Sequence, residues 1–214
     1  MLHPATELRW TSPAIGWGVF ATALIPRGTI TWVQDPLDQV FSPSRVGRLP
    51  APLLDALDRY SYVNGLGERV LCWDHARYIN HHCVPTVLSP GFEFDVALRN
   101  IAPGEEITTD YGSLNLDAPF DCACGAATCR RQIRPDDPDR LIAGWDRRVR
   151  QAFHRIGEVA QALWALLPDP DDVQRVLAHD APVPSIASHR CPLPPALLAV
   201  PRPVAARRRR ARRR

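Results

Sequence analysis

The 214-residue chain contains no lysine, so all 26 of its basic residues are arginine, and Met1 is its single methionine. This bias is typical of a GC-rich, bacterial genome. No run of about 18 apolar residues occurs, which excludes a helical membrane span. The first residues lack a basic region followed by an apolar stretch, which indicates that no secretory signal is present. We therefore expect a cytoplasmic protein with reduced thiols. Delivery as a secreted effector, by a route that leaves no such signal, is the alternative.

Positive charge is concentrated at the end of the chain. The whole chain carries a net charge of +3, and seven arginines lie in residues 207–214, so the remainder carries −4. A run of like charges repels itself and binds polyanions, so we expect non-specific contact between residues 207–214 and nucleic acid. Residues 181–214 are rich in proline or arginine and have no apolar period, which predicts a disordered tail.

Short alternating segments dominate the first half of the chain, whose length allows one core and an appendage. Strand patterns occur in residues 15–33, 60–73, 92–98 and 106–111. Leu53, Leu54, Leu57 and Tyr60 share one helical face, which indicates a packing helix or an insert that shapes a groove.

Helical patterns dominate residues 135–180. Apolar residues recur at three- and four-residue steps from Leu141 to Leu167, which predicts one long amphipathic helix with a bend at Gly144 or Gly157. A shorter helix is expected from Pro170 to about His179. The apolar stripe includes two tryptophans, so another surface must cover it.

The segment from Arg77 to Pro85 is too polar for an ordinary core element. Asp74 can cap a short helical turn before it, and Pro85 must end any helix. Asn80 and His81 offer donors and acceptors for a polar ligand, and the Cys83 thiol offers a metal ligand. The alternative is a satisfied Asn-His pair in a tight turn, with a free core cysteine.

Three further cysteines, Cys122, Cys124 and Cys129, lie within eight residues of one another. Structural zinc sites use four tetrahedral ligands, so this segment needs one more. Disulfides or free thiols are the alternatives, although disulfides fit poorly with a reducing compartment. Cys191 lies in the predicted tail and is not expected to be a ligand.

Four signatures occur in a recognisable order: Gly16-Trp17-Gly18, Arg77–Pro85, Gly104–Gly112 and Cys122–Arg130. Together, over about residues 8–134, they resemble a bacterial-type SET-domain protein-lysine methyltransferase with a post-SET zinc segment. The resemblance implies a mainly β fold with α-helices. It consists of several small sheets and a pseudoknot in which the last strand passes beneath the Asn-His segment.

The same resemblance implies a domain organisation. The SET domain would occupy residues 8–112, and the post-SET zinc segment residues 113–134. A helical extension would follow over residues 135–180, before the tail at residues 181–214.

The resemblance also implies the ligands and the residues that hold them. S-adenosylmethionine would be the methyl donor, Tyr111 the catalytic residue, and a lysine-containing basic protein the substrate. The implied cofactor-binding residues are Gly16, Trp17, Gly18, Tyr62, Arg77, Asn80, His81 and Tyr111. The implied zinc ligands are Cys83, Cys122, Cys124 and Cys129. Without a lysine, the chain cannot be methylated on its own lysine side chains.

Several of these roles have alternatives in the residues themselves. Gly-x-Gly alone fits a plain hairpin turn, and Tyr60, Tyr62 or Tyr111 could be core tyrosines. The chain also departs from the family pattern at His82, Thr86 and Thr109. The small Thr109 leads to the hypothesis that the product is not restricted to monomethyl-lysine. The departures also support an alternative function, a non-catalytic SET-like module that binds a peptide or S-adenosylmethionine while its arginine tail binds nucleic acid.

Overall fold

A computed structural model describes residues 1–200 of the chain. Its strands are β1 (Thr6–Ser12), β2 (Gly16–Ala21), β3 (Ile30–Val33), β4 (Gln39–Phe41), β5 (Ser61–Val63), β6 (Arg69–Leu71), β7 (Asn80–His81), β8 (Val87–Leu88), β9 (Phe94–Ala97), β10 (Glu106–Thr109), β11 (Phe120–Asp121) and β12 (Gln132–Ile133). Its helices are α1 (Pro43–Val46), α2 (Ala51–Tyr60), α3 (Pro138–Phe153), α4 (Pro170–Leu177) and α5 (Pro195–Leu198). Within the described residues, no helix is both long and apolar enough to cross a membrane.

Strand β10 lies inside a four-stranded sheet of order β1-β2-β10-β7. It runs antiparallel to β2, with Ile107 opposite Val19, and parallel to β7, with Thr108 opposite Asn80. Thr109 lies opposite His81. This pairing places the chain that follows β10 directly beside the Asn-His segment, although about 30 residues separate the two in sequence.

Three smaller sheets surround this one, with orders β3-β9-β8, β4-β6-β5 and β11-β12. The β5–β6 hairpin carries Tyr62 opposite Val70. The β11–β12 ribbon pairs Phe120 with Ile133 and encloses the cysteine-rich loop between its strands.

The largest apolar core lies between the β3-β9-β8 sheet and the C-terminal helices. Phe94 and Val96 of β9 pack there with Trp145, Val149 and Phe153 of α3. A second core contains Val19, Ile79, Ala97 and Ile107, and it lies beneath the four-stranded sheet. The sequence predicted that another surface must cover the apolar stripe of α3, and the β3-β9-β8 sheet of the same chain covers it.

Most of the predicted elements are confirmed, including the mainly β fold with several small sheets. Strands β2, β3, β9 and β10, the β5–β6 hairpin and helix α2 all lie in the predicted segments. The Asp74 carboxylate accepts a hydrogen bond from the Ala76 amide and caps a 3-10 turn at His75–Tyr78, as expected. The sequence did not predict strand β1.

The prediction of one long helix from Leu141 to Leu167 is wrong. Helix α3 ends at Phe153, and 3-10 turns follow at Ile156–Glu158 and Trp164–Leu166. The Gln161 side chain accepts a hydrogen bond from the Ile30 amide and donates to the Gly28 carbonyl, which ties the chain to β3. Gly157 has a low helix propensity, and the hydrogen bonds of Gln161 stabilise the irregular path that replaces the helix.

The prediction of disorder from Ala181 is wrong as far as Val200. Asp146 of α3 accepts hydrogen bonds from the Ser185 hydroxyl and the Ile186 amide, and Ile186 is buried. Arg69 donates to the Leu198 carbonyl over 2.9 Å. Apolar residues between the prolines, which a composition argument overlooks, hold this segment against the body. The rest of the predicted tail, including residues 207–214, lies outside the described residues.

Candidate active site and four-cysteine cluster

The Asn80 side chain joins β7 to the glycine loop at the start of β2. Its Nδ2 donates to the Trp17 carbonyl over 3.0 Å and to Glu106 Oε1 over 2.7 Å. A Cβ at position 18 would crowd the side chains of Glu106 and Asn80, so Gly18 accommodates this hydrogen-bonded arrangement. Within residues 1–200, the Asn80 Oδ1 accepts no hydrogen bond, which leaves an acceptor beside the loop for a ligand donor.

His81 and Tyr111 are held together by backbone and side-chain contacts. The Tyr111 amide donates to His81 Nδ1 over 3.1 Å, and His81 Nε2 lies 3.4 Å from Cys83 Sγ. Burial, with the nearby Arg130 charge, lowers the pKa of His81 to about 4. The ring is therefore neutral at pH 7, and the proton lies on Nε2, which faces the cysteine.

Tyr111 lies at the junction of three segments. Its hydroxyl donates to the Ile79 carbonyl over 2.8 Å, and its ring lies 6.0 Å from the Phe120 ring. Burial raises the pKa of Tyr111 to about 12, so its hydroxyl stays protonated at neutral pH. A neutral phenol in this position can orient an amine but cannot act as a strong base.

A cavity of about 250 Å³ opens beside Tyr111. Tyr62, Arg77 and Thr109 also line it, as do Ile186 and His189 of the C-terminal segment, whose contribution the sequence did not indicate. Gly16, Trp17, Gly18, Asn80 and His81 are not in its wall. The predicted site residues thus form two adjoining groups, one at the glycine loop and one at the cavity, connected through residues 79–81.

Arg77 has a buried group without a partner. Within the described residues its Nε is inaccessible to solvent and makes no hydrogen bond. Buried donors are normally satisfied, so the Arg77 Nε is a candidate donor to an acceptor group of a ligand. A carboxylate is the group that a guanidinium pairs with best.

Four cysteines converge beside this site. The sulfur atoms of Cys83, Cys122, Cys124 and Cys129 lie within 4.8 Å of one another. Cys122 Sγ lies 3.9 Å from Cys83 Sγ and 3.8 Å from Cys129 Sγ. All six cysteines of the chain are free thiols, and Cys191 packs elsewhere, with Val63 and Leu198.

These separations suit a tetrahedral zinc ion. Zinc–sulfur bonds of about 2.3 Å place tetrahedral sulfur ligands about 3.8 Å apart. The Arg130 amide donates to Cys83 Sγ and the Arg131 amide to Cys129 Sγ, which stabilises thiolates. Burial raises the pKa of Cys122 to about 12, so only a bound cation would hold this sulfur as a thiolate at neutral pH.

Asp110 connects the cysteine segment to the end of β10. It is fully buried, accepts from Arg130 over 2.6 Å, and also accepts from the Trp145 indole over 3.2 Å. Burial raises the pKa of Asp110, and the Arg130 guanidinium opposes that rise. Sequence analysis missed the contacts among Asp110, Arg130 and Trp145 because the paired residues lie 20 and 35 residues apart.

The departures at His82 and Thr86 have local explanations. The His82 ring is within hydrogen-bonding distance of the Val84 amide and carbonyl, in a tight turn outside the cavity wall. The Thr86 hydroxyl accepts from the Thr108 amide and donates to the Thr108 carbonyl, so it extends the sheet beside β10. Neither side chain reaches into the cavity.

The glycine loop, the Asn-His segment and the β10–β7 pairing all lie within residues 16–112. Residues 16–112 match the family model described as SET domain, so this part of the chain is a SET domain.

Two relatives that match the chain are named histone-lysine N-methyltransferases. The chain is 38% identical over 72 residues to histone-lysine N-methyltransferase ASHH3 of Arabidopsis thaliana, a match over 29% of this chain and 20% of the relative. It is 31% identical over 139 residues to histone-lysine N-methyltransferase Set2 of Drosophila melanogaster, over 58% of this chain and 6% of the relative. The chain thus spans about a fifth or less of the length of these relatives.

Two solved structures are similar to the chain. The methyltransferase domain of human histone-lysine N-methyltransferase SETMAR aligns with a TM-score of 0.43 and 20% identity, over 62% of this chain and 58% of that one. KRYPTONITE in complex with mCHG DNA and SAH aligns with a TM-score of 0.42 and 23% identity, over 59% of this chain and 30% of that one.

Proposed function

We propose that this protein is an S-adenosylmethionine-dependent methyltransferase that acts on lysine side chains of a protein substrate. One observation carries the proposal. The pairing of β10 with β7 brings Tyr111, His81 and the Asn80 acceptor together beside a cavity of about 250 Å³. The matching relatives are named histone-lysine N-methyltransferases, which supports the same reaction class.

The polar groups near the glycine loop fit the methyl donor. Asn80 Oδ1 can accept from the donor's ammonium group, and the Gly16–Gly18 backbone can lie close to it. Arg77 Nε can donate to its carboxylate. Tyr62 and His81 complete the proposed cofactor-binding set with Trp17 and Tyr111. When bound, S-adenosylmethionine supplies a methyl group activated by its positively charged sulfur.

Tyr111 is proposed to position the substrate amine. Its hydroxyl is already oriented by the Ile79 carbonyl and its ring is fixed against His81 and Phe120. Positioning of this kind can lower a displacement barrier by several kcal/mol, on the order of what a factor of a thousand in rate requires. The chain therefore contributes geometry more than bond chemistry.

The four-cysteine cluster is proposed to hold a structural zinc ion in a post-SET segment at residues 113–134. Cys83 follows the Asn-His segment directly, whereas the other three ligands lie in the β11–β12 ribbon. The metal would therefore fasten this ribbon, with Phe120, over His81 and Tyr111. The ribbon has little apolar core, so metal binding would supply its folding free energy.

We propose a lysine-containing basic protein as the substrate and the cytoplasm as the location. The net charge of −4 outside residues 207–214 suits a basic partner. Thr109 is buried in the cavity wall and is smaller than an aromatic residue. We expect this space to admit an amine that already carries a methyl group, so the product is not restricted to monomethyl-lysine.

The activity is tested by transfer of a labelled methyl group from S-adenosylmethionine to a mixture of basic proteins. Wild type and Tyr111→Phe are compared, with zinc measured on the same samples. We expect label on lysine with wild type, and a loss of about a hundredfold or more with Tyr111→Phe. Mass spectrometry with excess methyl donor gives the number of methyl groups, and a product that stops at one would refute the Thr109 argument.

The competing function is a module that binds without turnover. Calorimetric titration with S-adenosylmethionine separates the two. A zinc-loaded protein that binds the methyl donor but labels no protein supports the binding module. A protein that does neither contradicts both functions. The accessory contact between residues 207–214 and nucleic acid remains a proposal, and a gel shift that persists at high salt would contradict its electrostatic character.

A further inference from the structure

One carboxylate of the cavity wall has no role in the site described above. Asp95 lies on β9 opposite Trp32. Its neighbours Phe94 and Val96 point into the apolar core beneath α3, whereas Asp95 lines the cavity that Tyr111 also lines. The Asp95 side chain is half-buried.

The Asp95 carboxylate is unpartnered. Within residues 1–200 its oxygens make no hydrogen bond and no ion pair, although its backbone carbonyl accepts from the Thr31 hydroxyl. The buried carboxylates among residues 1–200 all have partners: Asp35 binds the N-terminal ammonium group, Asp110 binds Arg130, Asp137 binds Arg140, and Asp146 binds Ser185. Asp95 is half-buried and lacks such a partner, so a bound cationic or donor group would stabilise its charge.

The surroundings of Asp95 leave it available to a ligand. Tyr62 and Cys72 lie nearby, and burial raises the pKa of both, so both stay neutral at pH 7. Burial and then the charge of Glu93 raise the pKa of Asp95 to about 7. The remaining charged or titratable side chains of the cavity wall are Asp58, Arg59, Tyr60, Arg69, Arg77, Tyr111, Asp117 and His189. Arg69 is already paired with Asp58 and Asp117.

We propose that Asp95 binds the ammonium group of the substrate lysine in the cavity and accepts its proton. This inference rests on the proposed methyltransferase function. In the step, one N–H bond of the ammonium group breaks and an O–H bond forms on the carboxylate. The products are a neutral amine, whose lone pair is free to react, and a neutral carboxylic acid. Cancelling both charges is favoured where solvent is excluded.

The amine site is tested without the methyl donor or an identified substrate. The probe is n-butylamine, which carries the four carbons and the amino group of a lysine side chain, and 1-butanol is its uncharged control. Binding is followed through the tryptophan indole signals in NMR titrations, because Trp32 lines the cavity. We expect the amine to bind wild type about tenfold more tightly than the alcohol, and Asp95→Asn to remove that preference. Equal affinities in wild type, or an unchanged amine affinity in Asp95→Asn, overturn the proposal.

A pH profile tests the proton transfer. With wild type, kcat/KM for methyl transfer should rise with pH through about pH 7, and Asp95→Asn should lack this limb. Glu93→Gln is the matched control, since it removes a neighbouring negative charge of the same wall. It should shift the limb to lower pH without abolishing it, because the Glu93 charge raises the pKa of Asp95. An ascending limb that survives in Asp95→Asn contradicts proton acceptance by this residue.

The two proposals fail in different ways. Amine binding through Asp95 in a zinc-loaded protein that transfers no methyl group would remove the methyltransferase function and retain the amine site. Methyl transfer with the same pH profile and amine affinity in wild type and Asp95→Asn would retain the function and remove the role of Asp95.

Discussion

Strand β9 separates two regions of contrasting chemistry. On one face, Phe94 and Val96 enter a continuous apolar core with helix α3, which we call the extension core. On the other face, Asp95 lines a cavity whose wall includes three tyrosines. We call this cavity, together with the adjoining Asn-His segment and the four cysteines, the site region. The extension core gains stability from apolar burial, whereas the site region depends on hydrogen bonds, ion pairs and a proposed metal.

The difference indicates a division of labour. Polar site groups need fixed positions but bury little apolar surface, so something else must hold their segments. Asp110 and Trp145 provide the connection: the indole of α3 donates to the carboxylate that also binds Arg130 beside the cysteines.

Metal removal should give the largest effect and should be confined to the site region. Cys122→Ser, or chelation of wild type, should abolish zinc binding and methyl transfer, because structural zinc sites contribute on the order of 10 kcal/mol. Far-UV circular dichroism should keep most of its helical signal, since α3 packs on the β3-β9-β8 sheet. Cys191→Ser is the matched control, because Cys191 is buried outside the cluster, and it should retain full zinc content. Unfolding of α3 on chelation would contradict the separation of the two regions.

A cavity in the extension core should give the next largest effect. Phe153 is fully buried, and its ring stacks at 6.0 Å on Phe92 and at 6.3 Å on Phe94. Phe153→Ala should lower the free energy of unfolding by about 3–5 kcal/mol in urea titrations. Leu53→Ala, at a half-exposed position of α2, should cost well under that amount. Zinc bound per folded molecule should not change, and a parallel loss of zinc would show that the regions are coupled.

The link between the regions should have an intermediate effect. Trp145→Phe keeps the apolar ring but removes the hydrogen bond to the Asp110 carboxylate, a loss of about 1.5–3 kcal/mol. We expect both a lower urea midpoint and a lower kcat. The Asp110 carboxylate, which follows β10, also binds Arg130 beside the cysteines, so a displaced carboxylate would disturb the site region. Trp164→Phe, in the same extension but without a hydrogen bond to the site region, is the control. Equal losses of kcat in the two variants would place the effect in general packing.

The sequence predicted the secondary-structure elements and the candidate site residues better than it predicted the long-range contacts that hold them in place. Short motifs that can be recognised locally contain Asn80, His81, Tyr111 and the four cysteines. Local alternation of apolar residues located strands β2, β3, β9 and β10. By contrast, no local signal marks a partner at long range. Asp110 reads as an ordinary strand-end carboxylate until Arg130 and Trp145 are placed beside it.

The errors after Phe153 have a similar origin. Helical periodicity continues to Leu167, but the chain leaves the helix at Phe153. Gln161 pairs with β3, and Ile156 and Leu163 are still buried along the irregular path. Proline-rich composition predicted disorder, yet a few spaced apolar side chains, Ile186 and Leu198 among them, are enough to dock the segment. Composition reports average burial, and these contacts depend on single residues.

The smallest expected effect concerns the Asp95 carboxylate in the site region. The pKa of Asp95 is about 7 in the folded protein and about 3.9 in an unfolded chain, so the folded state binds this proton more tightly. Stability should therefore fall as pH rises from about 4 to 7, and Asp95→Asn should lack this contribution. At pH 8 the variant should be more stable than wild type, and near pH 4 the two should be equal.

Urea titrations at pH 4, 6 and 8 measure this difference, with Glu93→Gln as the control for a neighbouring charge. The expected gain is in stability alone, since the same variant should lose its preference for the amine probe. A stabilised variant that no longer distinguishes n-butylamine from 1-butanol would mean that the site region maintains an unfavourable charge for binding. A variant that is destabilised at pH 8 would mean instead that Asp95 has a favourable structural partner, and the contrast between the two faces of β9 would then be one of shape and not of charge.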